Sequence, residues 1–312
     1  MPGTRRASGA VQTPMKVLIT GSTGLLAKGF EETAESGHEI VGVHKRDYRV
    51  ADPRMKHLHL DVSDAAAVDA LFNEHRFDAV IHAAGMASVD AVEKNPEEGR
   101  ASNVGGTAAI ARAAKRIGAY LVYISTNAVF DGASPPYAED DPVSPIHHYG
   151  RIKLECEQAA RAECPEACVA RPILMYGWNH AVNRPNPVSW IYEKLIKGER
   201  IPLVDDVYEN PLFNLQCGKT LWSLLEKRPA GVFHLAGATR INRYEMGLEV
   251  ARVFGLDADL IERVDSSFFP SIAPRPKDTT FKTHKVQTVL GIEPMTLAEG
   301  LAVMKSTMGI GF

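Results

Sequence analysis

The sequence has no apolar run approaching the roughly 18 residues that a membrane-spanning helix needs. Its opening residues 1–14 (MPGTRRASGAVQTP) lack the apolar centre of a secretory signal. No membrane partner is expected, and the expected compartment is the cytoplasm. Residues 1–14 read as a disordered leader, with Met15 as an alternative start. Cysteine is scarce: Cys156, Cys164, Cys168 and Cys217 are too few and too irregularly spaced for a disulfide framework. Cys164 and Cys168 also have no second Cys or His pair to complete a tetrahedral metal site, so reduced thiols and no metal are expected. An excess of positive charge is lacking too. With 35 Lys and Arg against 38 Asp and Glu, the formal net charge is −3. No basic face for a phosphate backbone is indicated, and nucleic acid is excluded as an expected partner.

What is present is an α/β pattern long enough to bury a full core: 312 residues, 45% of them hydrophobic. Short β-rich runs at 16–20, 39–43, 57–60, 79–82 and 120–125 alternate with amphipathic stretches at 25–35, 65–73 and 99–117. Gly37 and Gly118 stand where helices should stop. A turn-rich loop at 131–144 precedes a helix expected from about 147 to 163 and a sixth strand at 168–171. Beyond Tyr176 the pattern loosens, with helices expected at 188–197 and 244–254 and a strand at 232–235. The alternation predicts a Rossmann-type, doubly wound parallel sheet. The expected division is an NADP-binding Rossmann domain at 15–175 and, at 176–312, mainly a smaller α/β substrate lobe whose chain crosses back to the core.

The first strand runs directly into Gly21-Ser22-Thr23-Gly24-Leu25-Leu26-Ala27, a GxxGxxA turn that opens a helix. Gly21 permits the tight turn, Gly24 lets the backbone approach a pyrophosphate, and Ala27 allows close helix–strand packing. The helix N-terminus offers free amides and a positive dipole end to the phosphates. Where an NAD site places a carboxylate for the ribose 2′-OH, this chain carries His44-Lys45-Arg46, which can pair with a 2′-phosphate and points to NADP(H). Asp61 and Val62 are placed to meet the adenine edge, and Ala83-Ala84-Gly85 is small enough to line the cofactor.

Tyr149 and Lys153 stand at i,i+4 on one face of the fourth expected helix. Reduction of a carbonyl needs a proton on its oxygen, and free tyrosine, with a pKa of about 10, gives it up poorly at neutral pH. A neighbouring ammonium favours the phenolate and should lower that pKa, while Lys153 also reaches the nicotinamide ribose. Thr126, at the end of the fifth strand, supplies a hydroxyl to polarise the same oxygen.

These segments resemble the extended short-chain dehydrogenases/reductases, and within them the dTDP-4-dehydrorhamnose reductase family. The similarity runs from residue 16 to about 305 and rests on GSTGLLA, IHAAGMASVDAVE (81–93), Asn103 in ASNVGGT, ISTNAVFDG (124–132), HYGRIKLECE (148–157) and RPKDTTFKTHKV (275–286). The resemblance implies Thr126, Tyr149 and Lys153 as the catalytic set and NADPH as hydride donor. Asn103, Pro172 and Ile173 join the implied cofactor contacts. A 4-keto-6-deoxy sugar carried on a nucleotide is the implied substrate, met by Met86, Asn127, Ala128, Leu174 and Arg275. Three positions depart from the family: Asn127 and Ala128 replace an Asp and a Tyr, and Leu174 replaces a Trp. A wider, less acidic sugar pocket is therefore expected. The regulatory β-subunit of methionine adenosyltransferase shares these segments, and the loop PPYAEDD (135–141) resembles it more closely. A non-catalytic NADP-binding subunit is thus one alternative reading, and an NAD(P)-dependent nucleotide-sugar epimerase or decarboxylase is another. A homodimer is the expected assembly.

Overall fold

Parallel pairing of seven strands builds the central sheet of the computed structural model, which describes residues 13–45, 54–180, 183–270 and 273–308. The chain opens with β1 (Lys16–Thr20), α1 (Leu25–Glu32), β2 (Glu39–His44), β3 (Met55–His59), α2 (Ala65–Glu74) and β4 (Ala79–His82). It continues through α3 (Val89–Lys94), α4 (Pro96–Ile117), β5 (Tyr120–Ile124), α5 (His148–Glu163) and β6 (Cys168–Pro172). Then come β7 (Met175–Tyr176), α6 (Pro187–Ile196), β8 (Ile201–Val204), β9 (Tyr208–Glu209), β10 (Leu212–Phe213) and α7 (Asn214–Lys227). The last elements are β11 (Gly231–Leu235), β12 (Ile241–Asn242), α8 (Arg243–Phe254), β13 (Ile261–Val264) and α9 (Leu297–Ser306).

The sheet order is β11-β6-β5-β4-β1-β2-β3, the doubly wound arrangement expected from the alternating pattern. The order reverses between β1 and β4, and the crevice at the carboxyl ends of these strands is where such sheets bind ligands. Successive side chains of β1 serve opposite faces. Val17 and Ile19 join Phe30, Leu221 and Trp222 under α1 and α7, while Leu18 joins Val68, Phe72 and Ile110 under α2 and α4. Because both faces are covered, β5 is buried along its whole length and reads as the unbroken apolar run YLVYI.

A third cluster, including Val188, Ile191, Leu203, Met246, Val250 and Leu301, holds the C-terminal elements together. Here β8 pairs with β13, β7 with β10 and β9 with β12. Capping boxes start α8 (Asn242 with Glu245) and α9 (Thr296 with Glu299), each satisfying two backbone donors at a helix start. The chain returns to the main sheet at β11 before entering α8.

Several boundaries differ from expectation. β3 occupies Met55–His59 instead of 57–60, and α1 stops at Glu32 instead of residue 35. Helices α3, α7 and α9 have no counterpart among the expected elements. Residues 1–12 of the expected leader and Arg46 lie outside the described residues. All four cysteines are buried and unbridged. Among the described residues no helix is long and apolar enough to cross a membrane.

Candidate active site

The turn between β1 and α1 is built to hold an anion. Gly21 takes φ +72°, and a Cβ there would come within 3.1 Å of the Ala83 and Ala84 backbone, so the turn sits tight against the loop after β4. The amides of Gly21 and Ser22 donate to the Val43 carbonyl at 2.9 and 3.2 Å, and that of Gly24 to Gly21 at 3.0 Å. Thr23 lies on the crest of the turn, and the first turn of α1 leaves the amides of Leu25 and Leu26 without intrahelical acceptors. This cradle fits a dinucleotide pyrophosphate. Ala83 and Ala84 are fixed by their amides, which donate to Thr20 Oγ1 at 3.1 and 3.0 Å. The same hydroxyl meets His82 Nδ1 at 2.7 Å. Burial drives His82 down to about 3, so this histidine is a neutral strut and not an acid.

At the expected adenosine end, Ser22 Oγ lies 3.2 Å from His44 Nδ1 and 3.4 Å from His57 Nδ1. Lys45 pairs with Asp61 at 2.7 Å, and Asp61 also accepts from the Ser63 amide and hydroxyl. Val62 is buried against Gly106 of α4. Gly85 stands beside Asn103, but both ends of the Asn103 amide go to the Met86 backbone, at 2.8 and 3.2 Å. That grip turns Met86 inward, where it packs with Tyr149 against Val92, Tyr123 and Ile152; Ala87 lines the cleft instead.

Beyond the carboxyl ends of β5 and β6 lies a cleft of about 790 Å³, walled by Thr126, Asn127, Ala128, Tyr149, Pro172, Ile173 and Leu174 on one side. Glu209, Arg243, Phe269, Arg275 and Thr279 of the C-terminal elements close the other. Gly150 makes the approach of α5 possible, because a Cβ there would collide with the Ala128 carbonyl oxygen. Tyr149 is thereby set beside the Thr126 hydroxyl. Lys153 sends its ammonium to the Ile124 carbonyl at 2.6 Å, 4.4 Å from the centre of the Tyr123 ring.

The electrostatics overturn one expectation. The Tyr149 phenol is pushed up to about 12 by burial, against the Thr126 hydroxyl, which pulls it down. Lys153, itself drawn down to about 8 by burial, leaves no mark on it, since its ammonium faces the strand end.

The profile of the RmlD substrate binding domain matches residues 15–309. The chain belongs to this family. It is 32% identical over 289 residues to methionine adenosyltransferase 2 subunit beta of Rattus norvegicus, covering 90% of this chain and 84% of that one. It is 30% identical over 298 residues to a Haloferax volcanii protein named "probable low-salt glycan biosynthesis reductase Agl14", covering 94% and 98%. Among solved structures, a dTDP-4-dehydrorhamnose reductase from Clostridium acetobutylicum superposes with a TM-score of 0.81 at 25% identity, covering 94% of this chain and 99% of that one.

As a member of the RmlD substrate binding domain family, the chain ties the residue after Thr126 to partners far along the sequence. Asn127 Nδ2 donates to Thr279 Oγ1 at 2.7 Å and to Glu209 Oε1 at 3.3 Å, and Glu209 pairs with Arg243 at 2.8 Å. Beside Asn127 the cleft carries the Glu209 carboxylate of β9, already paired with Arg243. Arg275 reaches the cleft as expected, paired with Asp90 at 2.8 Å. Glu209 and Thr279 lie where periodicity is weakest, on a two-residue strand and a connecting segment, and Arg243 stands at the very start of α8, so none of the three carries a local signal. A buried ion pair carries no such signal either: Arg171 of β6 grips Glu157 of α5 through two hydrogen bonds of 2.8 Å, and Glu157 accepts from Ser125 at 2.5 Å.

Proposed function

We propose that the protein is an NADPH-dependent reductase of a nucleotide-linked 4-keto-6-deoxy sugar, with residues 15–175 serving the cofactor and 176–312 mainly serving the sugar nucleotide. The observation that carries this reading is the meeting of Thr126 and Tyr149 in one cleft, with Lys153 anchored at the end of the same strand. With its pyrophosphate held by the Gly21–Leu26 turn, NADPH would supply the hydride from its nicotinamide. Thr126 donates a hydrogen bond to the substrate carbonyl oxygen, and Tyr149 protonates it as charge builds there. Burial keeps the phenol protonated at neutral pH, and the Thr126 hydroxyl beside it eases release of the proton. Lys153 steadies the ribose, and His44, Lys45 and Arg46 favour the 2′-phosphate. The Haloferax relative, named a reductase, supports the same reading.

A second reading is favoured by the 32% identity to the rat methionine adenosyltransferase subunit: a non-catalytic NADP-binding partner subunit. One experiment separates the two. NADPH oxidation is followed with a panel of nucleotide 4-keto sugars; turnover of any of them supports the reductase. Tight NADPH binding with no turnover across the panel favours the subunit.

A further inference from the structure

Helix α5 is capped by a histidine, His147, at a position where Ser, Thr, Asp or Asn is usual. Its Nδ1 accepts the Gly150 amide at 3.0 Å. A ring nitrogen that accepts carries no proton, so the neutral imidazole holds its proton on Nε2. Burial first, and then the nearby Arg275 and Arg151 charges, pull His147 below the usual histidine range, with Glu93 opposing them. The ring is therefore neutral, with one fixed donor.

The ring stands at the wall of the cleft. His147 is only 2% exposed, yet it lines the cleft with Thr126, Tyr149 and Arg275, its ring centre 6.1 Å from that of Tyr149. Among the described residues the Gly150 amide is the one hydrogen-bond partner of the ring outside its own residue, and Nε2 is not a sealed, unpartnered nitrogen. A proton relay through the ring is excluded by the same geometry, because Nδ1 would have to donate toward the Gly150 N–H.

We propose that the Nε2–H of His147 is a substrate-binding donor that holds a neutral hydroxyl oxygen of the sugar close to the carbonyl served by Tyr149. The inference rests on the nucleotide-sugar reading above. It gives the α5 N-cap two roles, closing the helix with one nitrogen and selecting the sugar with the other.

His147→Asn separates these roles, because an Asn oxygen still caps the helix but cannot reach the sugar. Calorimetry would compare dTDP-rhamnose, dTDP-glucose and UDP-glucose, each against its free nucleoside diphosphate. For the sugar that the wild type prefers, the variant should lose about tenfold in affinity, the worth of one hydrogen bond. Affinities for the free nucleotide and for NADPH, and the melting temperature, should not move. Should the variant fail to fold, ¹⁵N spectra of the wild-type imidazoles decide the matter. The Nε2–H resonance of His147 should shift with the preferred nucleotide sugar and stay put with the nucleotide alone. Unchanged sugar affinity in His147→Asn, or an unmoved resonance, overturns the proposal and leaves the reductase reading standing. A wild type that binds no nucleotide sugar better than its nucleotide overturns both.

Discussion

Lys45 and Asp61 form an ion pair of 2.7 Å across the loops that follow β2 and β3. Lys45 is the first cause of the depressed Asp61 carboxyl, held at about 2, with Ser63 contributing next. The cation assigned to a 2′-phosphate is thus already shared with a carboxylate. The pair is 69% exposed on the lysine side, so water screens it and little energy binds the two together. A phosphate with greater charge can take the ammonium over.

Cofactor preference follows from that competition. NADPH should bind more tightly than NADH in a fluorescence titration, and Lys45→Ala should weaken NADPH while leaving NADH nearly unchanged. Asp61→Asn should sharpen the preference, since it frees the ammonium. Equal affinities of the wild type for the two nucleotides would sink the assignment of the basic cluster.

The proton donor is tested by Tyr149→Phe, which keeps the ring and removes the hydroxyl. Hydride transfer in single-turnover NADPH oxidation should slow by about 10²- to 10⁴-fold, the usual cost of losing a general acid, with NADPH affinity intact. Thr126→Ala should cost less, as it removes one hydrogen bond to the same oxygen. A Tyr149→Phe enzyme working at the wild-type rate would rule the mechanism out.

Lys153 should set the alkaline limit of cofactor binding. Burial lowers it from 10.5 to about 8 in the folded chain, so its ammonium is lost as pH rises through about 8, and NADPH affinity should fall there. Tyr149, at about 12, keeps its proton across the same range. In the window from about 8 to 10.5 the unfolded chain holds the lysine proton that the folded chain has released, so this residue makes the protein more stable as pH rises. Lys153→Met should remove both dependences, seen by titration and by denaturant melts at several pH values.

The parts of the fold that could be read from sequence are those whose signal is local. The βα turn at Gly21–Ala27 and the helix stop at Gly118, with φ +74°, are dictated by a few neighbouring residues. Helix α7 hid because Gly218 interrupts it and Phe213 offers no side-chain cap. Helix α9 carried a legible capping box, Thr296 to Glu299, but its Gly300 weakened the helical pattern. In the site, Thr126, Tyr149 and Lys153 announce themselves by spacing around one strand end. Glu209 and Thr279 do not: Thr279 lies 152 residues from Asn127, and only the folded chain brings them together. The direction of the Tyr149 shift differs from expectation for a related reason. Helical spacing put Lys153 on the same face, whereas the Ile124 carbonyl draws its ammonium to the strand end.

Restoring the family aspartate should do harm here. In Asn127→Asp the donor that Thr279 and Glu209 accept becomes a carboxylate oxygen facing Glu209 at the 3.3 Å contact. A lost hydrogen bond and a like-charge contact should together cost about 1–3 kcal/mol of stability and weaken binding in the cleft. Paired with Glu209→Gln, which removes the repulsion, the loss should shrink. A single Asp variant as stable as wild type would show that the Asn127 bonds to Thr279 and Glu209 carry no weight.

The Glu157–Arg171 pair makes the sharpest stability prediction. Its side chains are 7% and 5% exposed, and the two hydrogen bonds of 2.8 Å align guanidinium and carboxylate side by side. Burying both ions costs desolvation, which their mutual attraction roughly offsets. Removing one partner leaves the other buried without its counter-charge. Glu157→Gln or Arg171→Met alone should therefore destabilise the protein by about 3–5 kcal/mol, whereas Glu157→Leu with Arg171→Met should recover most of that loss. The consequences should also reach catalysis. Glu157 lies one turn beyond Lys153 on α5 and accepts from Ser125, the residue before Thr126. The double variant, though folded, no longer ties α5 to the end of β5 through Ser125. It should turn over more slowly than wild type while binding NADPH normally. Denaturant titration of the single and double variants, with single-turnover rates on those that fold, checks both halves. Additive losses in the double variant would refute the buried-charge account.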